Sequence, residues 1–387
     1  MTTVNTGTGF DAEFAVVGLG AMGANALWRL AARGVEVIGF EQFRPGHALG
    51  STHGHTRLVR TLCLEHPNLV SFGTVSLDLF RELEAEQQVK IVDLFGLLNI
   101  GPADSEIIRN VQLAADTHDR QVRRLTAQEL RAEYPQHAGI QDDTVALYDP
   151  EAGIGRPEAA VLAAVDQAQK LGAQLVTGTE ITGWDLLDDG VAVHTSGRSY
   201  RVQQVVVTTG AWLAEMLPDL PLQPIRQPMT WFRAATNPDE FASDRFPGFI
   251  RDLGDGRRTW GHGSGADYAV KIGPEDDLAA RPVRPNEIDR SVSTSDSAYV
   301  SELVSQSLPG LDPVPFNIAP CVVTRTPDHQ FVVGRPFDDP RLLVGGGCHG
   351  HGFKHGPAIG ETLARMAVGE PTLVDLSFVD PKRFTPH

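Results

Sequence analysis

Residues Phe14–Phe43 read FAVVGLGAMGANALWRLAARGVEVIGFEQF, and their glycine spacing restricts the fold more than any other feature of the chain. Gly18, Gly20 and Gly23 form GxGxxG between an apolar run, Phe14–Val17, and a helical stretch carrying Ala24, Leu27, Leu30 and Ala31. Gly34 is placed to end that helix, Val35–Phe40 reads as a second strand, and Glu41 closes it. The first glycine permits the tight turn, the second lets backbone approach a pyrophosphate, and the third lets helix pack on strand. The helix N-terminus then faces phosphate with unpaired N–H groups. Glu41 stands 23 residues past Gly18, where a carboxylate accepts from a ribose hydroxyl. A glycine-packed helix without a ligand leaves Glu41 unexplained. The unit predicts dinucleotide binding.

The next stretch narrows the dinucleotide. In NAD dehydrogenases further βαβ units usually follow at once, whereas here a loop rich in Gly, His and Arg follows, RPGHALGSTHGHTRLVR. A buried-strand pattern returns only in YRVQQVVVTTGAW, where Val205–Thr208 leads to Gly210. A late return implies a second domain inserted between strands of the first, which favours FAD. The length of 387 residues suits two domains. The net charge of -16 argues against nucleic acid and anionic membrane as partners. No apolar run approaches the ~18 residues of a membrane span, and the polar N-terminus does not read as a signal peptide. A cytoplasmic protein is therefore expected. Cys63, Cys321 and Cys348 are the only cysteines and form no CxxC pair, so neither a disulfide framework nor a four-cysteine zinc site fits. His349, His351 and His355 cluster, but among glycines, which suits backbone approach to a cofactor better than metal ligation; no metal is expected.

Four blocks in order along the chain carry a resemblance: the GxGxxG unit, GSTHGHTRLVR, VVVTTGAW, and CVVTRTPDHQFVVG followed by GGGCHGHGFKHG. Together they resemble the monomeric sarcosine oxidase and N-methyltryptophan oxidase family of FAD-dependent amine oxidases. The resemblance implies an α/β fold of two domains. A Rossmann-like FAD domain would be assembled from residues 1–80, 150–215 and 320–387, and a substrate domain from 81–149 and 216–319 would place a mixed β-sheet over the flavin. The strand-like stretches LLNIG and WGHGSGADYAVKIG suit that sheet. Cys321, followed by Thr324, Thr326, Pro327 and Asp328, occupies the family position whose sulfur bonds the flavin covalently.

The resemblance also assigns residues. Cofactor contacts are expected from Gly18, Gly20, Ala21, Met22, Gly23, Glu41, Gln42, Ser51, Thr52, Arg57, Ile181, Gly210, Trp212, Cys321, Gly350, His351, Gly352, Phe353 and Lys354. His53 joins the flavin surroundings, while Arg60 and Lys354 would grip a substrate carboxylate. Paired cations orient the adjacent C–N bond toward the flavin. Arg57 and Arg60 share one face if their stretch opens a helix. Lys271 lies in an otherwise apolar strand and must either turn to solvent or have a role. It matches the family lysine that promotes reaction with oxygen.

The pocket walls depart from the family. Trp260 and Val323 stand where tyrosines are usual, and Glu275 stands where a histidine is usual, four residues after Lys271. With Arg60 and Lys354, Trp260 and Val323 are the expected substrate contacts. The expectation is a monomeric FAD-dependent oxidase of a secondary amine carrying a carboxylate, an N-methyl or cyclic amino acid, which yields an imine and hydrogen peroxide. The alternatives are a flavin-dependent dehydrogenase or tailoring oxidase of a larger amine, and a non-catalytic flavin carrier.

Overall fold

A computed structural model describes residues 9–263, 269–276, 278 and 280–384. Ala12–Val17 forms the central strand of an eight-stranded sheet. It pairs in parallel with Val37–Glu41 on one side (Phe14 beside Val37) and with Ser199–Val207 on the other (Val17 beside Val207). Gln174–Thr177 and Leu342–Gly346 extend the parallel core outward, and Ile181–Leu186, Val191–Thr195 and Val332–Gly334 add antiparallel strands. Strands such as VIGFE and LLVGG are buried at every position. That pattern belongs to a parallel core covered on both faces.

Helix Ala21–Ala31 follows the glycine turn and packs against Pro157–Lys170 and Gly356–Val368. A Cβ on Gly360 would lie 2.6 Å from the backbone nitrogen of Ala26, so glycine there lets two helices touch. The adjacent Glu361 is buried and takes ion pairs from Arg29 at 2.7 Å, Arg33 at 2.8 Å and Arg365 at 2.7 Å. Apolar contact and a satisfied buried carboxylate thus fix the same helix pair.

A second eight-stranded sheet runs in the order 317–319, 229–233, 269–274, 258–263, 248–252, 97–102, 144–149, 123–126. All neighbours are antiparallel except 248–252 with 97–102, so the sheet is mixed. It contains LLNIG within Leu97–Pro102 and both arms of the WGHGSGADYAVKIG stretch, whose residues 264–268 lie outside the described residues. Strands of the first sheet come from 12–207 and 332–346, and those of the second from 97–149 and 229–319. The two sheets interleave along the chain. The molecule is a mixed α/β fold built on two sheets. No helix among the described residues is long and apolar enough to cross a membrane.

The condition that would put Arg57 and Arg60 on one helical face is not met. Arg57 and Arg60 do not lie on a helix: Arg57–Val59 is a three-residue strand paired with Gly153–Gly155. Gly54 and His55 precede it with φ of +96° and +66°, a left-handed turn from which no helix continues. Residues three apart in a strand point to opposite faces, which sends the two guanidinium groups to different places.

The turn glycines make a contrast that can be measured. A Cβ at Gly23 would lie 1.9 Å from the Gly18 oxygen and 2.3 Å from Thr208 Oγ1, whereas one at Gly20 would meet only Thr52 Oγ1 at 3.5 Å. Gly23→Ala should destabilise the protein by ~2–4 kcal/mol. Gly20→Ala should cost under ~1 kcal/mol yet weaken dinucleotide binding, because its methyl group would stand where phosphate approaches. Thermal unfolding of both variants, with and without cofactor, checks the pair.

Candidate active site

A cavity of about 860 Å³ opens at the carboxyl ends of the parallel strands. Gly18, Gly20, Ala21, Met22, Glu41, Gln42, Ser51, Thr52, Arg57, Ile181, Gly210, Trp212, Cys321, Gly350, Gly352 and Phe353 all line it. Gly23 lies beneath the turn, packed on Gly18 and Thr208, and His351 and Lys354 face a second cavity. His53 lines neither cavity.

The first cavity fits FAD on its own chemistry. Helix Ala21–Ala31 starts at Gly20 with no side-chain cap and no acidic residue in its first turn. Ala21 N–H donates to Thr52 Oγ1 at 3.3 Å, and the N–H groups after it in the first turn are left for an anion. Glu41 is buried, with Oε2 accepting from Leu19 N at 2.9 Å and Oε1 from Phe43 N at 3.0 Å. Those bonds aim the carboxylate across the glycine turn, where ribose hydroxyls are read.

At the inner end, the Arg57 guanidinium donates to Ser51 O at 3.1 Å and reaches Cys321 Sγ at 3.7 Å. Cys321 is buried immediately before strand Val322–Arg325. Burial pushes its thiol pKa up, and the nearby Arg57 and Lys271 charges pull it back. Lys271 does not turn to solvent. It is fully buried, its Nζ donates to Gly54 O at 3.0 Å and Thr56 O at 2.8 Å, and it lies 5.0 Å from the Trp231 ring centroid. Burial, and then Arg57, hold its pKa well below the ordinary lysine value. Lys271 lines neither cavity; the backbone of Gly54–Thr56 stands in front of it. His53 is pushed down to about 4 by burial, with Arg57 adding to the effect, so its imidazole is neutral at pH 7.

The second cavity, of about 500 Å³, is lined by Arg60, Trp260, Val323 and Lys354, the four expected substrate contacts. Arg57, Cys321, Val323, Gly350 and Phe353 line both cavities, so the two meet at Cys321. Arg60 and Lys354 already share a carboxylate partner within the protein. Glu65 Oε1 accepts from Arg60 at 2.6 Å, stands 3.4 Å from Lys354 Nζ and lies 3.5 Å from His351 Nδ1. Burial opposes the charge on Glu65, but Arg60 and Lys354 outweigh it and hold the carboxyl well below its ordinary range. Lys354 is itself buried, glycine neighbours notwithstanding, and its pKa is lowered by burial and by Arg60.

Two acids at the centre of the site escaped the sequence reading. Glu65 stands five residues after Arg60 in TLCLEHP, a spacing that carries no signal in a strand and loop. Glu158 follows the helix-starting Pro157 and accepts from Gly54 N at 2.7 Å and His55 N at 3.1 Å. A first-turn acid reads as a helix-dipole partner, and only the fold turns it toward the loop.

Comparison with known proteins agrees with this geometry. The profile of the FAD dependent oxidoreductase family matches residues 13–366. Monomeric sarcosine oxidase of Streptomyces avermitilis is 33% identical over 375 residues, covering 95% of this chain and 96% of that protein. N-methyl-L-tryptophan oxidase of Yersinia pestis is 29% identical over 376 residues, covering 97% of this chain and 100% of that protein. The solved structure of NikD, described as an unusual amino acid oxidase essential for nikkomycin biosynthesis, superposes with a TM-score of 0.83 at 23% identity. That match covers 96% of this chain and 97% of NikD, and shows the shared fold.

The Glu65 cluster has a signature independent of turnover. Glu65→Gln leaves two buried cations short of a partner and should cost ~3 kcal/mol. Acetate should restore part of the loss in the variant and do little for the parent. Because the Glu65 pKa is depressed in the folded state, its contribution is present above the unfolded value near ~4.3 and is lost as pH falls through the folded one. The gap between parent and variant should therefore narrow on acidification below ~pH 4.3. Unfolding curves across pH, with and without acetate, test both statements.

Proposed function

The chain belongs to the FAD dependent oxidoreductase family, and from that premise we propose that it oxidises secondary amines bearing a carboxylate, N-methyl or cyclic amino acids, with oxygen as the acceptor. One observation carries the proposal. A cavity shaped for a dinucleotide and a smaller cavity holding Arg60 and Lys354 meet at Cys321, so a gripped acid lies next to the cofactor's inner end. The relatives named for sarcosine and N-methyl-L-tryptophan both concern N-methyl amino acids and support the same class. The cofactor-binding domain spans 1–80, 150–215 and 320–387 in this reading, and the substrate domain 81–149 and 216–319.

Bound FAD supplies the two-electron oxidation of the C–N bond. The remaining work falls to side chains. Arg60 and Lys354 orient the substrate carboxylate and share it with Glu65; Lys354, at 3.4 Å from Glu65, is the looser partner and the donor that turns to an incoming anion. Two fixed cations on one carboxylate restrict rotation about the neighbouring C–N bond, which is how binding energy becomes orientation. Val323, at the junction, leaves open the volume that a tyrosine would fill, and Trp260 offers a broad apolar face. Cys321 anchors the cofactor through its sulfur; Arg57 and Lys271 favour the thiolate that this bond requires. Lys271 holds its amine behind the Gly54–Thr56 backbone, where the protonated form stabilises negative charge developing during reaction with oxygen.

Three measurements decide the matter. Mixing the protein with a panel of N-alkyl amino acids without oxygen should bleach its yellow colour, and admitting oxygen should give stoichiometric peroxide; a panel that bleaches nothing refutes the function. Acid precipitation should leave colour on the parent protein and release it from Cys321→Ala. Lys271→Met should slow the oxygen-dependent half of turnover by ~10²–10³ while changing anaerobic bleaching far less. An unchanged oxygen rate would leave Lys271 with only its structural role.

A further inference from the structure

Strand Gln223–Arg226 is the middle of a three-stranded sheet, between Arg281–Pro282 and Val322–Arg325. Arg226 pairs with Val322, and Gln227 N donates to Cys321 O at 3.0 Å, so this strand borders the thiol of the cofactor cavity. On its other side, residues 283–291 form a loop with both feet on the same strand. At the first foot Val283 N donates to Pro224 O at 3.0 Å. At the second, the buried Arg226 guanidinium donates to Asp289 O and Ser291 O, each at 2.8 Å, and pairs with the Asp296 carboxylate. Pro282 and Pro285 fix φ where the loop starts and stiffen it.

The tip of this loop reaches the larger cavity, where Glu215, Pro218 and Asp219 are exposed and the cavity opens to solvent. Asn286 lines the cavity there, with Oδ1 accepting from Trp212 Nε1 at 2.7 Å and Nδ2 donating to Glu215 at 3.3 Å. Arg290 donates to Leu49 O at 2.7 Å. Trp212 and Glu215 belong to one lip of the cavity, and Leu49 to the loop that forms the other, with His47 and Gly50. Phe43 touches His47 and Trp212 edge-on and joins the two lips beneath. The loop is thus fastened to both lips at once. Its fastenings differ in strength. Arg226 and Asp296 are both under a tenth exposed, whereas Asn286 and Arg290 are exposed and form single hydrogen bonds that compete with water. The feet are firm and the tip is easily released.

We propose that residues 283–291 are a latch on the cofactor cavity. While Asn286 and Arg290 are fastened the lips cannot part, and FAD passes only when both let go. Arg226 keeps the loop seated on its strand so that it recloses in the same place. The strand that seats the latch also holds the Cys321 carbonyl through Gln227, so closure and the thiol share one support. This inference rests on the larger cavity holding FAD and is independent of which amine is oxidised. A latch is distinguishable from a cofactor contact. A contact stabilises only the loaded protein, so its loss speeds release and weakens affinity. A latch favours neither the loaded nor the empty protein, so its loss speeds passage in both directions and leaves the equilibrium nearly unchanged.

The test follows FAD fluorescence during uptake and release in a background of Cys321→Ala with Cys348→Ala, which leaves no thiol on the cavity wall to retain the cofactor. Asn286→Ala and Arg290→Ala are added singly and together. Each should speed both uptake and release by ~5-fold, the equilibrium value of one ordinary hydrogen bond, and the pair by ~25-fold. The dissociation constant should stay within ~3-fold of the background. Glu41→Gln serves as the contrast, a change to a cofactor contact that should speed release and leave uptake nearly unaltered. Both latch residues are exposed, and unaltered melting temperatures would show that the variants fold. Unchanged rates, or a change confined to one direction, overturn the latch alone. If the background protein takes up no FAD, the cofactor reading of the cavity fails and takes this inference with it.

Discussion

The site is organised around one short loop gripped from both sides. Glu158, on a helix of the first domain, accepts the Gly54 and His55 N–H groups, while Lys271, on the second sheet, donates to the Gly54 and Thr56 carbonyls. A carboxylate and an ammonium from different domains thus hold opposite edges of the same peptides. The loop would be costly without them. Gly54 and His55 are left-handed, and a Cβ on Gly54 would fall 2.7 Å from Met229. Burying an ammonium costs several kcal/mol unless it is well coordinated. Two carbonyls and the face of Trp231 supply that coordination. Everything downstream inherits its position from the clamp: Arg57 toward Cys321, and Arg60 toward Glu65.

Charge in the site is arranged against the character of the whole chain. The protein carries a net charge of -16, yet Arg57, Arg60, Lys271 and Lys354 gather around the junction of the two cavities. Glu65 and Glu158 offset part of this, leaving a positive field where an anionic cofactor and an acidic substrate meet. Low local dielectric strengthens each of these interactions and makes each unpaired group expensive. That is why Glu65 stays ionised while buried, and why His53, with cations on two sides, stays neutral.

Much of the framework was legible because its signals are local. The glycine turn, Glu41, and the apolar strand patterns concern residues a few positions apart, and their consequences follow from backbone sterics. The glycines of the turn follow the same route, since backbone approach to phosphate needs glycine at stated positions, whereas the other expected cofactor contacts came from the family resemblance. Arg57 and Arg60 share no helical face for a local reason too: a left-handed turn just before them redirects the chain into a strand.

The sequence by itself determined a dinucleotide fold interrupted by a second domain, and the family resemblance added two expectations, a thiol beside the cofactor and pocket walls that depart from the family pattern. Only the tertiary structure decided how the charges are spent. Glu65 is 289 residues from Lys354, and Lys271 is 217 from Gly54, so no spacing rule reaches either contact. Whether a lysine in an apolar strand turns outward or inward depends on what waits on the other side. Here two carbonyl oxygens and an indole face wait on the buried side, and they offset part of the cost of burying the amine.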